Sequence, residues 1–290
     1  MSPGAISPLL SVKALTFDVF GTTVDWRTSV IDELQLRIHR KLNTADGAGA
    51  PSADLRERLE YLNANYAGGG ETDQESWTAR FADAWRSSYW LFVRSQARAG
   101  VQDAATFKTT EEHFHDSLID ILEEWQLEGL FSATEIKSLS LVWHRLVPWP
   151  DTVEGLARLA APPLGLQTAT LSNGSTNLVR DLNDFGDLGF QHLFCAESLK
   201  AYKPAPETYL GAARELGLRP DEVAMVAAHM ADLEAARRVG LRTVYVERRK
   251  EEEWPAEKLQ EAKAWVDLWV KEDEEGFVAL AKRLEEIKTE

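Results

Sequence analysis

Short apolar runs rich in β-branched and aromatic residues recur along the chain at Val12 to Phe20, Leu166 to Leu171, Val223 to Ala228 and Arg242 to Val246, with His192 to Ala196 a weaker member of the set. The first ends at the turn residues Gly21-Thr22-Thr23. Runs of this length with such boundaries read as buried strands. Between them, Thr176 to Phe185, Pro206 to Leu216 and Leu233 to Val239 carry apolar residues at helical spacing. Strands alternating with helices predict a parallel sheet covered on both faces.

The stretch from Trp26 to Pro150 has a different rhythm. Helical periodicity runs through Ser29 to Leu42, Leu55 to Asn65, Ser76 to Gln96, Thr110 to Glu124 and Ala133 to Leu146, broken at Ala45 to Ser52 and at Gly68-Gly69-Gly70. This pattern predicts a helical insertion after the first strand. Pro148-Trp149-Pro150 marks the return to the sheet, since closely spaced prolines end a helix. From Lys250 onward the chain is highly charged and helical, with a last short strand expected at Val266 to Val270. That charge run reads as a solvated face.

Composition narrows the function classes. The 290 residues carry a net charge of −15, from 47 acidic and 32 basic residues. Such a field disfavours nucleic acid and anionic membrane surfaces, whereas a small anion responds to local charge. Cys195 is the only cysteine, so no intrachain disulfide forms, and its apolar neighbours predict an inert buried thiol. Met1 to Ser11 lacks the pattern of a signal peptide, and no apolar run approaches the roughly 20 residues that span a bilayer. A cytoplasmic protein is expected.

Ligands of open parallel sheets bind beyond the carboxyl ends of the strands. Asp18 follows the first strand, where a carboxylate can act as a nucleophile and form an ester; a plain turn or helix-capping residue is the alternative. Gly21 permits a close backbone approach there, and Thr22 offers a hydroxyl and an amide to the carboxylate. The second strand ends in Ser172-Asn173-Gly174-Ser175, either an anion-binding turn or an N-cap by Ser175 with Asn173 in a turn. Lys203 lies in Ala201-Tyr202-Lys203-Pro204-Ala205-Pro206, a backbone-restricted loop that either holds a charge or exposes a lysine. Asp232 follows a later strand near a helix start, as a cap or as a partner of Lys203 or of a water.

Taken together and in this order, the strand-end Asp with Gly-Thr, the Ser-Asn end, the Lys-Pro loop and the late Asp resemble the haloacid dehalogenase superfamily over the whole chain. The resemblance implies an α/β fold with a Rossmann-like parallel-sheet core, residues 1–26 and 150–290, and an inserted helical cap domain, residues 27–149. Phosphatases of that superfamily carry a second aspartate two residues after the nucleophile, as general acid and base. This chain has Phe20 there, which cannot protonate a leaving oxygen. A departing halide, being a weak base, needs no proton.

Phe17 to Thr22, Tyr202-Lys203-Pro204 and Tyr209 six residues after the lysine look like the type II 2-haloacid dehalogenases. That likeness implies chemistry without metal or cofactor on a small 2-haloacid. Asp18 displaces halide with inversion and water then hydrolyses the ester at the Asp18 carbonyl. Lys203 holds the Asp18 carboxylate, Ser172 binds the substrate carboxylate, Asn173 receives the halide and Asp232 places Lys203 or the water. Phe20, Thr22 and Tyr209 complete the substrate-side set. The likeness also implies a cap arginine near the halide, either Arg86 in Trp85-Arg86 or Arg27 in Trp26-Arg27, and a homodimer joined through the cap.

Ala227 and His229 depart from the serine and asparagine that the subfamily carries in its last motif. His229 stands in as base or hydrogen-bond partner, since imidazole titrates near neutrality. Two other functions compete: a magnesium-dependent phosphatase or phosphonate hydrolase on the same fold, and a weakly active member that binds a ligand or partner.

Overall fold

The computed structural model describes residues 7–44, 49–68, 75–99 and 109–289. Residues 45–48 of the break expected at Ala45 to Ser52, Gly69-Gly70 of the glycine run and Met1 to Ile6 lie outside the described residues. In chain order the strands are β1 Ala14–Phe17, β2 Val24–Asp25, β3 Val147–Pro148, β4 Gln167–Ser172, β5 His192–Cys195, β6 Val223–Ala227, β7 Arg242–Val246 and β8 Leu268–Val270. The α-helices are α1 Trp26–Leu42, α2 Ala53–Asn65, α3 Trp77–Ala99, α4 Thr110–Glu124, α5 Ala133–Ser140, α6 Thr152–Ala160, α7 Thr176–Phe185, α8 Ala196–Leu199, α9 Pro206–Glu215, α10 Met230–Arg238, α11 Ala256–Ala262 and α12 Gly276–Thr289.

Six strands form one parallel sheet in the order β5-β4-β1-β6-β7-β8, and β2 pairs antiparallel with β3 in a separate ribbon. This is the α/β, Rossmann-like core that the alternating pattern implied. Every residue of β1 is buried, as expected for a central strand covered on both faces. Phe17 lies opposite Thr170 of β4 and Val226 of β6, so the carboxyl ends of β4, β1 and β6 stand side by side. The strand order reverses around β1, and a crevice at such a switch point is where these sheets bind ligands.

The first strand is shorter than its apolar run. The Asp18 amide still donates to the Val226 carbonyl (3.0 Å), but the Val19 carbonyl accepts from the Thr23 and Val24 amides (3.0 and 3.1 Å), which closes a turn. The helix expected to reach Leu146 ends at Ser140, tightens into a 3₁₀ turn over Leu141–His144, and gives way to β3. Pro148 disfavours helical geometry at Val147, so no helix resumes after the turn. The periodicity also left out α6. Its Gly155 lets α12 approach closely: a Cβ there would fall 2.3 Å from Phe277 Cβ. The Phe277 ring in turn packs 5.0 Å from Phe17 of β1.

The charged tail is not uniformly solvated, since Phe277, Leu280, Ala281 and Leu284 of α12 are buried and so is Glu251. Cys195 is fully buried at the end of β5. By packing, the chain divides into two compact units, one of residues 1–25, 96–107 and 147–290 and the other of residues 26–95 and 108–146. The first holds the sheet. The second is helical, with Trp143 stacked on Phe114 at 4.2 Å and the Trp85 indole donating to the Phe114 carbonyl (3.2 Å) and the Ser117 hydroxyl (3.1 Å). Among the described residues, no helix is long and apolar enough to cross a membrane.

Gly155→Ala tests the packing of α6 on α12. Alanine raises helix propensity by about 1 kcal/mol, but the clash with the Phe277 backbone dominates. Urea unfolding is expected to show net destabilisation of about 1–3 kcal/mol.

Candidate active site

Asp18 sits one residue beyond β1, with only a small part of its surface exposed. The turn after it has one strict requirement. Gly21 adopts φ +81°, which strains other side chains, and a Cβ at this position would fall 1.9 Å from Glu251 Oε2 and displace that carboxylate. The turn brings back two hydroxyls. Thr23 Oγ1 donates to the Asp18 backbone carbonyl (2.7 Å), and Thr22 Oγ1 donates to Asp18 Oδ2 (2.7 Å) while accepting from the Ala228 amide (2.9 Å).

Lys203 approaches from the other side. Its Nζ donates to Asp18 Oδ1 and to Asp232 Oδ2, both at 2.6 Å, with 3% of the side chain exposed. The loop that carries it is pinned by Asn173, whose Oδ1 accepts from the Lys203 amide (2.7 Å) and whose Nδ2 donates to the Lys203 carbonyl (3.3 Å). Asp232 lies in the first turn of α10, and the Tyr209 hydroxyl donates to its second oxygen (3.3 Å). Burial works against the ammonium, but the two carboxylates outweigh it and raise the Lys203 pKa.

His229 completes the shell. Its Nδ1 bonds Asp18 Oδ2 (3.0 Å) and its Nε2 bonds Glu251 Oε2 (3.1 Å). Burial opposes the imidazolium, yet the hydrogen bonds and charges of Asp18 and Glu251 push the pKa up to about 10. Burial would likewise raise the Asp18 carboxyl, but Lys203 and His229 hold it well below the usual carboxylate range. The resting site therefore pairs an ionised Asp18 with an ammonium and an imidazolium. Asp18 Oδ2 accepts two bonds and Oδ1 only one, which leaves Oδ1 the oxygen with lone-pair capacity for attack.

Residues 12–240 match the sequence profile of the haloacid dehalogenase-like hydrolases. The chain belongs to this hydrolase family. It is 28% identical over 246 residues to (S)-2-haloacid dehalogenase 1 of Pseudomonas sp. (strain CBS-3), covering 82% of this chain and 85% of that one. Two crystal structures are similar throughout. One is an L-2-haloacid dehalogenase with 30% identity and TM-score 0.70, covering 94% of this chain and 99% of that chain. The other is a defluorinating L-2-haloacid dehalogenase with 29% identity and TM-score 0.69, covering 94% and 95%.

Within this dehalogenase-like hydrolase, the expected strand-end residues differ in what their side chains do. Asp18, Thr22, Lys203, Asp232 and His229 form one connected network. Asn173, expected to receive a halide, directs its amide to the Lys203 backbone. Tyr209, expected to face substrate, is fully buried with its hydroxyl on Asp232, and burial together with that carboxylate pushes its pKa well up. Ser172 is buried at the end of β4 and accepts from the Gly174 amide (3.1 Å), while Ser175 caps α7 through the Leu178 amide (3.1 Å). Phe20 is buried as well and brings no proton donor.

Glu251 escaped the sequence analysis. It stands in the acidic run Glu251-Glu252-Glu253, which looks solvated, yet the run follows β7 and so belongs to a strand end. That position was its available signal. In the helical unit, Arg27 is held by Asp83 (2.9 and 2.8 Å) and Glu75 (3.0 Å). Arg86 instead lies buried among the rings of Trp26, Tyr89 and Trp90, with centroids 5.5, 4.8 and 4.4 Å from its guanidinium carbon.

Donor atoms of Asp18, His229 and Asp232 all lie within 4.8 Å of one another, a spacing open to a metal ion. Their chemistry does not fit one. Lys203 Nζ already bridges the two carboxylates, and both ring nitrogens of His229 are engaged by Asp18 and Glu251.

A histidine whose pKa rises on folding stabilises the fold fully below its ordinary value of 6.5 and loses that contribution as pH climbs through about 10. Thermal unfolding of the protein and of His229→Gln is expected to show a gap in Tm that narrows between pH 6.5 and 10. A constant gap would contradict the imidazolium.

Proposed function

We propose that this hydrolase cleaves the carbon–halogen bond of a short 2-haloacid through an ester on Asp18. The observation that carries the proposal is an ionised, buried carboxylate with Oδ1 available for attack and Phe20 where a proton donor would otherwise stand. The names of the similar dehalogenases support the substrate class.

In the first step Asp18 Oδ1 bonds the carbon that bears halogen, and the carbon–halogen pair leaves with the halide. Lys203 and Thr22 hold the carboxylate in line for this displacement. Ser172 contributes to the substrate carboxylate. Arg86, buried among aromatic rings, is the arginine proposed for the halide.

Ester formation removes the Asp18 charge. Lys203 then keeps Asp232, and His229 keeps Glu251. With one of its two anionic partners neutralised, His229 releases its Nδ1 proton to solvent. Its Nδ1, on the Asp18 side, accepts a proton from the water that attacks the Asp18 carbonyl carbon. Glu251 fixes the ring and its tautomer through Nε2. As the carbon–oxygen bond breaks, His229 returns that proton to the departing oxygen to give a 2-hydroxyacid, and the Asp18 carboxyl proton passes to Nδ1, which restores the carboxylate and the imidazolium. The helical unit acts as a cap in this proposal, and the protein works in the cytoplasm as a homodimer.

Halide release from a panel of 2-chloro-, 2-bromo- and 2-fluorocarboxylates, with and without chelator, tests the proposal. Chelator-insensitive release by the protein and none by Asp18→Asn is expected. Magnesium-dependent turnover of phosphate esters without halide release would favour a phosphatase.

The second half-reaction has its own test. His229→Ala is expected to retain a stoichiometric burst of halide while steady-state turnover falls about a hundredfold or more. Mass spectrometry should then find the Asp18 peptide carrying the acid moiety. Absence of the adduct during turnover would remove His229 from ester hydrolysis.

A further inference from the structure

The backbone carbonyls of the turn that follows the nucleophile are each held by a side chain or amide from elsewhere in the sheet-bearing unit. The Trp149 indole donates to the Gly21 carbonyl (3.0 Å), Arg248 Nε donates to the Thr22 carbonyl (3.1 Å), and Thr152 Oγ1 donates to the Thr23 carbonyl (2.9 Å). Arg248 is the charged member of this set. Its two terminal nitrogens form parallel bonds to Asp151 (2.6 and 2.8 Å), with only 7% of the Arg248 side chain and 13% of the Asp151 side chain exposed. The guanidinium lies between the rings of Trp149 and Phe277, 5.3 and 5.0 Å from their centroids. Asp151 Oδ2 also accepts from the Phe277 amide at the start of α12 (2.7 Å).

We infer that Arg248 and Asp151 form a positioning pair for the nucleophile, acting through Thr22. The inference rests on Asp18 being the nucleophile proposed above. Thr22 has two ends in this site. Its hydroxyl donates to Asp18 Oδ2, and its carbonyl accepts from Arg248. A carbonyl fixed by a planar guanidinium leaves the peptide little freedom to rotate, so the hydroxyl stays aimed at Asp18. A bidentate carboxylate and two flanking rings fix the guanidinium itself, which a single surface ion pair would not do. The Glu251 amide donates to the Arg248 carbonyl (3.3 Å), so the same residue anchors the strap that brings Glu251 to His229. Neither Arg248 nor Asp151 bonds Asp18 directly. Their effect is on alignment, and misplacing a reacting group by about 1 Å can cost roughly a hundredfold in rate.

Lysine at position 248 keeps the charge but lacks the fork that reaches Asp151 and the Thr22 carbonyl together. A double-mutant cycle of Arg248→Lys with Thr22→Val separates positioning from general stability, because residues acting through one another are non-additive. Halide release by Arg248→Lys is expected to show kcat lowered about ten- to a hundredfold with KM within about twofold. The double variant should fall no more than about twofold below Thr22→Val alone.

The same cycle is read without turnover from the ¹⁵N shifts of the His229 ring in substrate-free protein. Arg248→Lys and Thr22→Val should move these shifts in the same direction, with no further change in the double variant. Asp151→Asn replaces Arg248→Lys if that variant does not fold. Multiplicative losses in kcat, or independent additive shifts at His229, would overturn the inference. If the unsubstituted protein releases no halide, the proposed function fails, and the ring shifts alone decide whether Arg248 acts through Thr22.

Discussion

The site depends on one buried ammonium. Lys203 is almost wholly enclosed, and an enclosed lysine keeps its charge only if anions compensate the water it has lost. Asp18 and Asp232 supply them at 2.6 Å each, and removing one partner of such a pair typically costs about 3–5 kcal/mol. The elements that carry these groups are thereby locked to one another: the end of β1, the first turn of α10 and the loop before α9. Asn173 and Tyr209 serve the same constraint, one by gripping the Lys203 backbone and the other by orienting Asp232.

His229 adds a second cation on the far oxygen of Asp18, so this carboxylate faces positive charge from both sides. Three carboxylates surround two cations. When Asp18 is esterified, the remaining charges fall into two matched pairs, Lys203 with Asp232 and His229 with Glu251. The cluster is thus balanced for the intermediate and over-supplied with negative charge before it. This arrangement accounts for why a histidine can stand where the similar subfamily has an asparagine, provided that an acidic partner comes with it. The partner comes from the strap after β7, whose root residue Arg248 also touches the nucleophile turn.

The helical unit illustrates the limit of local sequence. Trp26-Arg27 and Trp85-Arg86 are the same dipeptide on two helices, and nothing in either foretells the neighbours that each arginine meets. Their surroundings differ completely. Arg27 meets Asp83 and Glu75, while Arg86 packs against the faces of three rings, which attract a cation.

Much of the fold was legible in the chain. Periodicity of two kinds placed the strands and most helices, because burial on both faces and burial on one stripe leave different marks. Strand-end logic then marked Asp18, Ser172, Asn173 and Asp232 as candidates and the Lys-Pro loop marked Lys203, but only the resemblance to the haloacid dehalogenases joined them, singled out His229 and turned Phe20 into an argument against phosphate chemistry. Tertiary structure decided which of these groups touch. It turned Asn173 and Tyr209 toward Lys203 and Asp232, raised His229 to an imidazolium, drew Glu251 out of a run that composition assigns to solvent, and set Arg248 against the Thr22 carbonyl. The physical reason is common to all of them. Periodicity reports burial, which a sequence encodes locally, whereas protonation and hydrogen-bond direction depend on which charges the fold brings within about 3 Å.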